Sequence, residues 1–92
     1  MDFGKAIKNI RKQKGFTQKQ LADLCEISVT TLSQIETNDT FPHKSNLKKI
    51  ALALDVPNTY LFFMALETDD VPAEKRILYK TINNLIQEML VD

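Results

Sequence analysis

Helix stops and starts follow one another so closely in this sequence that everything before residue 73 is confined to short helices joined by tight turns. Gly15 ends a first segment as a left-handed cap residue would. Thr17-Gln18-Lys19-Gln20 then reads as a capping box, and Phe16 is placed to staple onto Leu21. Ser28 is the next N-cap residue. In Asn38-Asp39-Thr40-Phe41-Pro42, Asn38 suits a left-handed cap and Pro42 prevents continuation. Ser45 opens a fourth helix, and Pro57 marks the break after it.

Apolar residues fill these intervals at helical spacing. Phe3, Ile7 and Ile10 line one face of the first helix, with the lysines and Arg11 on its other faces. Leu21, Ala22 and Cys25 form the stripe of the second, Leu32 and Ile35 that of the third, and Leu47, Ile50, Ala51 and Leu54 that of the fourth. A fifth helix, Asn58 to Leu66, is apolar all round, so one of its sides should meet another helix, from the tail or from a second protomer. After a polar linker the last helix carries Leu78, Ile82, Leu85 and Met89 in four-three-four spacing, broadened by Ile86 and Leu90. That spacing suits equally a tail docked on its own domain and a seam between two protomers. The expected fold class is all-α: a five-helix domain over 1–66, a linker over 67–72, and an additional C-terminal helix over 73–92 as a dimerisation element or an intramolecular tail.

A chain of 92 residues has room for one modest core. Its single cysteine rules out a disulfide or multi-cysteine metal site within one protomer and fits a reducing, cytoplasmic setting. No apolar run approaches bilayer length. Net charge is zero, yet its distribution is uneven. Met1 to Lys19 holds six basic residues against Asp2, a local field suited to phosphate, whereas Glu67 to Asp92 holds six acids against three bases. The tail is therefore not expected to touch nucleic acid.

Thr17-Gln18-Lys19-Gln20-Leu21-Ala22, then Leu32-Ser33-Gln34-Ile35-Glu36, then Leu47 to Pro57, in this order and spacing, closely resemble the Cro and phage-repressor type (xenobiotic-response-element family) of helix-turn-helix regulator. The resemblance implies a five-helix repressor-like DNA-binding domain in which the second and third helices form the reading unit and the third enters the major groove. It also implies an ion pair between Arg11 and Glu36 that ties the first helix to the end of the third. Gln18, at the first position of the second helix, is implied as a phosphate contact beside free helix amides.

The family usually has glycine where this chain has Glu26. Either Glu26 takes a left-handed conformation at a cost of about 1 kcal/mol, or the turn differs. Gln20 to His43 contains four acids and no lysine or arginine, so phosphate attraction must come from flanking residues.

With Leu32 and Ile35 facing inward, Val29, Thr30, Ser33 and Gln34 project from the third helix and are the expected base-reading residues. Gln18, Ser28, Thr31, Asn38 and Lys44 are expected to hold the DNA backbone. Phe62, Phe63 and Met64, with Leu78, Ile82, Leu85 and Met89, are the expected dimer surface. The expected function is sequence-specific DNA binding by a homodimeric transcription regulator, a repressor on a palindromic operator. The rival, motivated by the zero net charge and the acidic third-helix region, is a protein-interaction module on the same scaffold that has lost DNA binding.

Cys25 and His43 do not make a nucleophile and base. Cys25 falls on an inner helix face beside Leu21, and no third orienting group accompanies the two. No zinc-ligand spacing, cofactor motif or effector site is evident, and no enzyme activity is expected.

Overall fold

The computed structural model describes residues 1–90, without the side chain of Leu90; the last two residues of the expected C-terminal helix lie outside the described residues. Five α-helices, α1 (Phe3–Gln13), α2 (Gln18–Cys25), α3 (Val29–Glu36), α4 (Lys44–Leu54) and α5 (Asn58–Ala65), precede α6 (Arg76–Leu90). Short 3-10 turns at Thr68–Asp70 and Ala73–Lys75 lie between α5 and α6. The described residues contain no strand.

The punctuation operates as chemistry requires. Thr17 Oγ1 accepts the Gln20 amide at 3.1 Å, and Gln20 Oε1 accepts the Thr17 amide at 2.9 Å, closing the capping box of α2. Gly15 sits at φ 81°, Asn38 at φ 64° and Glu26 at φ 58°. The turn between α2 and α3 thus keeps the left-handed geometry that glycine favours, with glutamate bearing the strain. Glu26→Gly is expected to raise stability by up to about 1 kcal/mol, less whatever glycine adds to the freedom of the unfolded chain, as read from the urea midpoint.

The fourth helix starts one residue earlier than its serine suggests. His43 is the N-cap, in extended geometry without a side-chain cap bond, and its carbonyl accepts the Leu47 amide at 2.9 Å. Ser45 thereby falls inside the first turn.

Ile7, Ile10, Leu21, Leu32, Ile35, Ile50, Leu54 and Leu61 are fully buried in one core that joins α1 to α5. A smaller cluster of Phe3, Ala6 and Ala65 is bridged to it by Met64. The α1 N-terminus is knotted to the α3 C-terminus. Asp2 caps α1 by accepting the Lys5 amide at 2.9 Å and also accepts Asn38 Nδ2 at 2.8 Å, while Asn38 Oδ1 accepts the Gly4 amide at 3.0 Å. The Asn38 amide, then the Lys5 amide, hold the Asp2 carboxyl below its ordinary range.

The all-round apolarity of α5 has several outlets. Leu61 and Ala65 enter the core, Phe62 packs edge-on against Phe3 with centroids 5.0 Å apart, and Phe63 meets Tyr79 of α6 at 5.6 Å. The tail helix docks on its own domain through a mainly polar side. Tyr79 Oη donates to the Leu66 carbonyl at 2.8 Å, Gln13 Nε2 donates to Gln87 Oε1 at 2.8 Å, and Gln87 Nε2 reaches Met64 Sδ at 3.6 Å. Arg76 Nε donates to the Thr68 and Val71 carbonyls, fixing the linker to the start of α6.

Arg11, expected off the Phe3–Ile7–Ile10 stripe of α1, is buried, as its pairing with Glu36 requires. Phe63 and Met64, expected at a dimer surface, pack against α6 of the same chain, the tail being one of the two covers expected for α5.

Candidate nucleic-acid interface

The outer face of α3 is set by what its inner face must bury. Leu32, Ile35 and Glu36 are buried, so at ~100° per residue Val29, Thr30, Ser33 and Gln34 occupy an outward arc of about 140°. Val29, Thr30 and Gln34 are exposed and Ser33 is half-buried. This face offers a carboxamide, two hydroxyls and methyl groups, with no charge. Those are groups that pair with adenine or sit against a thymine methyl.

The one acid on α3 is withdrawn from that face. Glu36 accepts Arg11 Nε at 2.7 Å and Arg11 Nη2 at 3.1 Å, a two-pronged pair whose side chains are 8% and 1% exposed. Arg11 Nη1 also donates to the Phe16 carbonyl at 2.8 Å, and Gln18 Nε2 donates to Glu36 Oε1 at 3.0 Å. A single buried carboxylate therefore ties the end of α1, the start of α2 and the end of α3. Asp23 pairs loosely with Lys19 at 3.8 Å, which leaves Glu26 and Asp39 as the acids of the Gln20–His43 stretch outside an ion pair.

The expected backbone contacts divide by what their side chains already do. Gln18 spends one amide hydrogen on Glu36 and retains a second at the α2 N-terminus. Ser28 Oγ accepts the Thr31 amide at 3.0 Å and donates to Thr31 Oγ1 at 2.8 Å, so the hydroxyl hydrogen left to donate is that of Thr31. Lys44 is exposed at the first position of α4. Asn38 is exposed, and its side chain bonds Asp2 and the Gly4 amide at the α1–α3 junction.

Phe41 was not anticipated at any surface. It is 69% exposed, stacks edge-on against Phe3 at 5.3 Å, and with Phe62 (45% exposed), Pro42 and Leu47 lines an apolar groove. Its sequence signal was hidden, because an aromatic residue inside a turn reads as local packing. Cys25 lies in the core, where burial pushes its thiol pKa up. Among the described residues, no three histidine, cysteine or acidic side chains are placed to hold a metal ion, and no helix is long and apolar enough to cross a membrane.

A capped short helix, a tight left-handed turn and a second helix with a polar outer face define a helix-turn-helix. The helix-turn-helix family model matches residues 7–61, and the chain belongs to this Cro/C1-type family of transcription regulators. It is 35% identical over 91 residues to the HTH-type transcriptional regulator ImmR of Bacillus subtilis, covering 97% of this chain and 68% of that protein. It is 31% identical to the competence pilus inhibition repressor of Acinetobacter baylyi, covering 76% of this chain and 64% of that one. The HTH-type transcriptional repressor RghR of Bacillus subtilis is 30% identical, over 94% of this chain and 64% of that protein. The chain thus spans about two thirds of the length of these relatives. Among solved structures, the restriction-modification controller protein C.AhdI from Aeromonas hydrophila superimposes with a TM-score of 0.65 at 30% identity, covering 66% of this chain and 92% of that one.

Proposed function

We propose that this chain is a repressor that binds a palindromic operator as a homodimer in the cytoplasm, with α3 in the major groove and without an enzymatic activity, cofactor or small-molecule effector. The observation that carries the reading is the neutral, hydrogen-bonding outer face of α3, whose only acid is neutralised inside the core by Arg11. The acidic count that favoured a pure protein-interaction module loses its force once Glu36 is withdrawn. Lys19 at the start of α2 and Lys44, Lys48 and Lys49 on α4 are exposed and supply the phosphate attraction that α3 lacks.

In this reading Val29, Thr30, Ser33 and Gln34 read bases, and Gln18, Thr31 and Lys44 hold phosphates; Ser28 serves mainly as the cap that aims the helix. The half-site leans towards A·T, since no arginine is available for a guanine fork. Two copies are required because one small domain spans few base pairs, and a two-fold pair places its reading helices about one DNA turn apart. Phe62 remains available to that interface, together with Leu78, Ile82, Leu85 and Met89.

Selection from a random duplex library, followed by titration at several salt concentrations, tests this. Gln34→Ala is expected to lose about 1–3 kcal/mol at one base position and relax preference there. Lys44→Ala should weaken all sequences alike and flatten the salt slope by roughly one unit. Equal loss on operator and random DNA for Gln34→Ala would assign that side chain to the backbone instead, and no enrichment of any sequence would return the chain to the interaction-module reading.

A further inference from the structure

The apolar groove at the α3–α4 turn is held open by the packing behind it. Phe3, itself buried, meets Phe41 edge-on at 5.3 Å and Phe62 edge-on at 5.0 Å, so one residue of α1 braces both exposed rings. Pro42 and Leu47, both buried, complete an apolar lining around a volume of about 350 Å³. That lies within the range of ~300–1,000 Å³ found for ligand sites. A groove already formed in the free chain costs little further ordering when it is filled.

The charge around this groove has one sign. Its polar lining is Lys44, Lys48 and Asn58, with no acid among them. Lys44 and Lys48 stand four apart on α4 and share a face, a like-charge spacing that disfavours the helix. They also lie near its N-terminus, where the helix dipole is already positive and the first turn holds no acid to offset it. Among the described residues neither lysine is in an ion pair.

We propose that this groove docks an acidic segment of a partner protein, which seats a large apolar side chain between Phe41 and Phe62 and sets flanking carboxylates against Lys44 and Lys48. A purely apolar partner would desolvate the two ammonium groups without pairing them, and a basic one would be repelled. Occupation has a consequence for DNA. On the operator-binding reading above, on which this step rests, Lys44 holds a phosphate, and it cannot serve a carboxylate at the same time. Phe41 and Pro42 also line a neighbouring hollow together with Thr31 and Gln34 of α3, so an occupant stands beside the reading helix. The docked segment and the operator therefore compete, and filling the groove releases the chain from DNA.

Short random peptides displayed on phage and selected against the full chain, without DNA, supply the probe. The expected result is enrichment of peptides with a large apolar residue next to aspartate or glutamate. Made synthetically and titrated by fluorescence anisotropy, these should lose about tenfold or more in affinity on Phe41→Ser and on Lys48→Glu. Both sites are exposed, and unchanged helical circular dichroism checks that each variant keeps its fold. No enrichment, enrichment of basic or purely apolar peptides, or affinities that neither substitution alters would each overturn the inference. So would a wild-type dimer that Phe41→Ser turns into a monomer in sedimentation, because the groove would then belong to a second copy. In an operator titration, saturating peptide should weaken DNA binding by the wild-type chain about tenfold or more and leave the Phe41→Ser chain unaffected. Peptide binding that leaves operator affinity intact would overturn the competition. Because the peptides are selected and titrated without DNA, a chain that binds them but no operator would sink the DNA-binding reading and leave the docking site standing.

Discussion

Arg11→Ala is expected to lower stability by about 3–5 kcal/mol, the range for stranding one member of a buried ion pair, and Glu36→Ala by a similar amount. Both side chains are almost wholly withdrawn from solvent, so the survivor keeps its desolvation penalty and loses its counter-charge. Each substitution also strands other groups. Without Arg11 the Phe16 carbonyl loses a donor, and without Glu36 the Gln18 amide loses its acceptor.

Replacing both residues together, Arg11→Met with Glu36→Leu, should cost distinctly less than either alanine variant, because no charge is then left buried. Urea midpoints converted with a common slope provide the measurement. Single variants as stable as the wild type would show that the pair contributes nothing, and a double variant worse than both singles would show that shape rather than charge is at stake. Since Gln18 is aimed by Glu36, the double variant should still fold yet bind DNA more weakly than its stability alone would suggest.

Gly4→Ala should destabilise by about 1–3 kcal/mol or more, reversing the gain of roughly 1 kcal/mol that alanine normally brings to a helix interior. A Cβ on Gly4 would stand 2.5 Å from the Ile35 carbonyl oxygen, 2.6 Å from that of Glu36 and 2.7 Å from Asn38 Oδ1. Two of these are backbone atoms at the end of α3 and cannot swing aside, so α1 must move outward. That motion would stretch the Asn38 bond to the Gly4 amide and pull on the helix that presents Gln34. Gly15→Ala is a useful contrast, since a Cβ there meets nothing within 4 Å and the cost is only the left-handed backbone, about 1 kcal/mol. Thermal melts of the two variants should rank Gly4→Ala as the more damaging; a Gly4→Ala chain with a raised midpoint would contradict the close packing of α1 on α3.

Local signals carried most of the fold. The capping box at Thr17, the cap at Ser28, the left-handed Asn38 and the apolar spacing of each helix are interactions within a few residues, so they can be read from neighbours in the chain. The outward set on α3 followed from the same logic, because burying Leu32 and Ile35 leaves Val29, Thr30, Ser33 and Gln34 on the other side. Family likeness supplied the Arg11–Glu36 pairing, but not its depth of burial, which depends on how α1 and α3 close over both ends.

Other features have no local signature. Gly4 reads as an unremarkable helix residue until the end of α3 is laid against it. Asn38 reads as a left-handed cap, with nothing in its neighbours to show that Asp2 and Gly4 come to its side chain. For Phe63 and Met64 the tail and a second protomer were equally open as covers, because sequence periodicity records that a side must be covered, not by which element. The sequence by itself determined the helices, their caps and the faces each must bury, since those are set by side-chain spacing and nearest-neighbour hydrogen bonds. Only the tertiary structure decided that the tail turns its polar side inward and leaves an apolar stripe free, because that choice depends on where the Glu67–Pro72 linker delivers α6 and on the Leu66, Met64 and Gln13 groups waiting there to receive it.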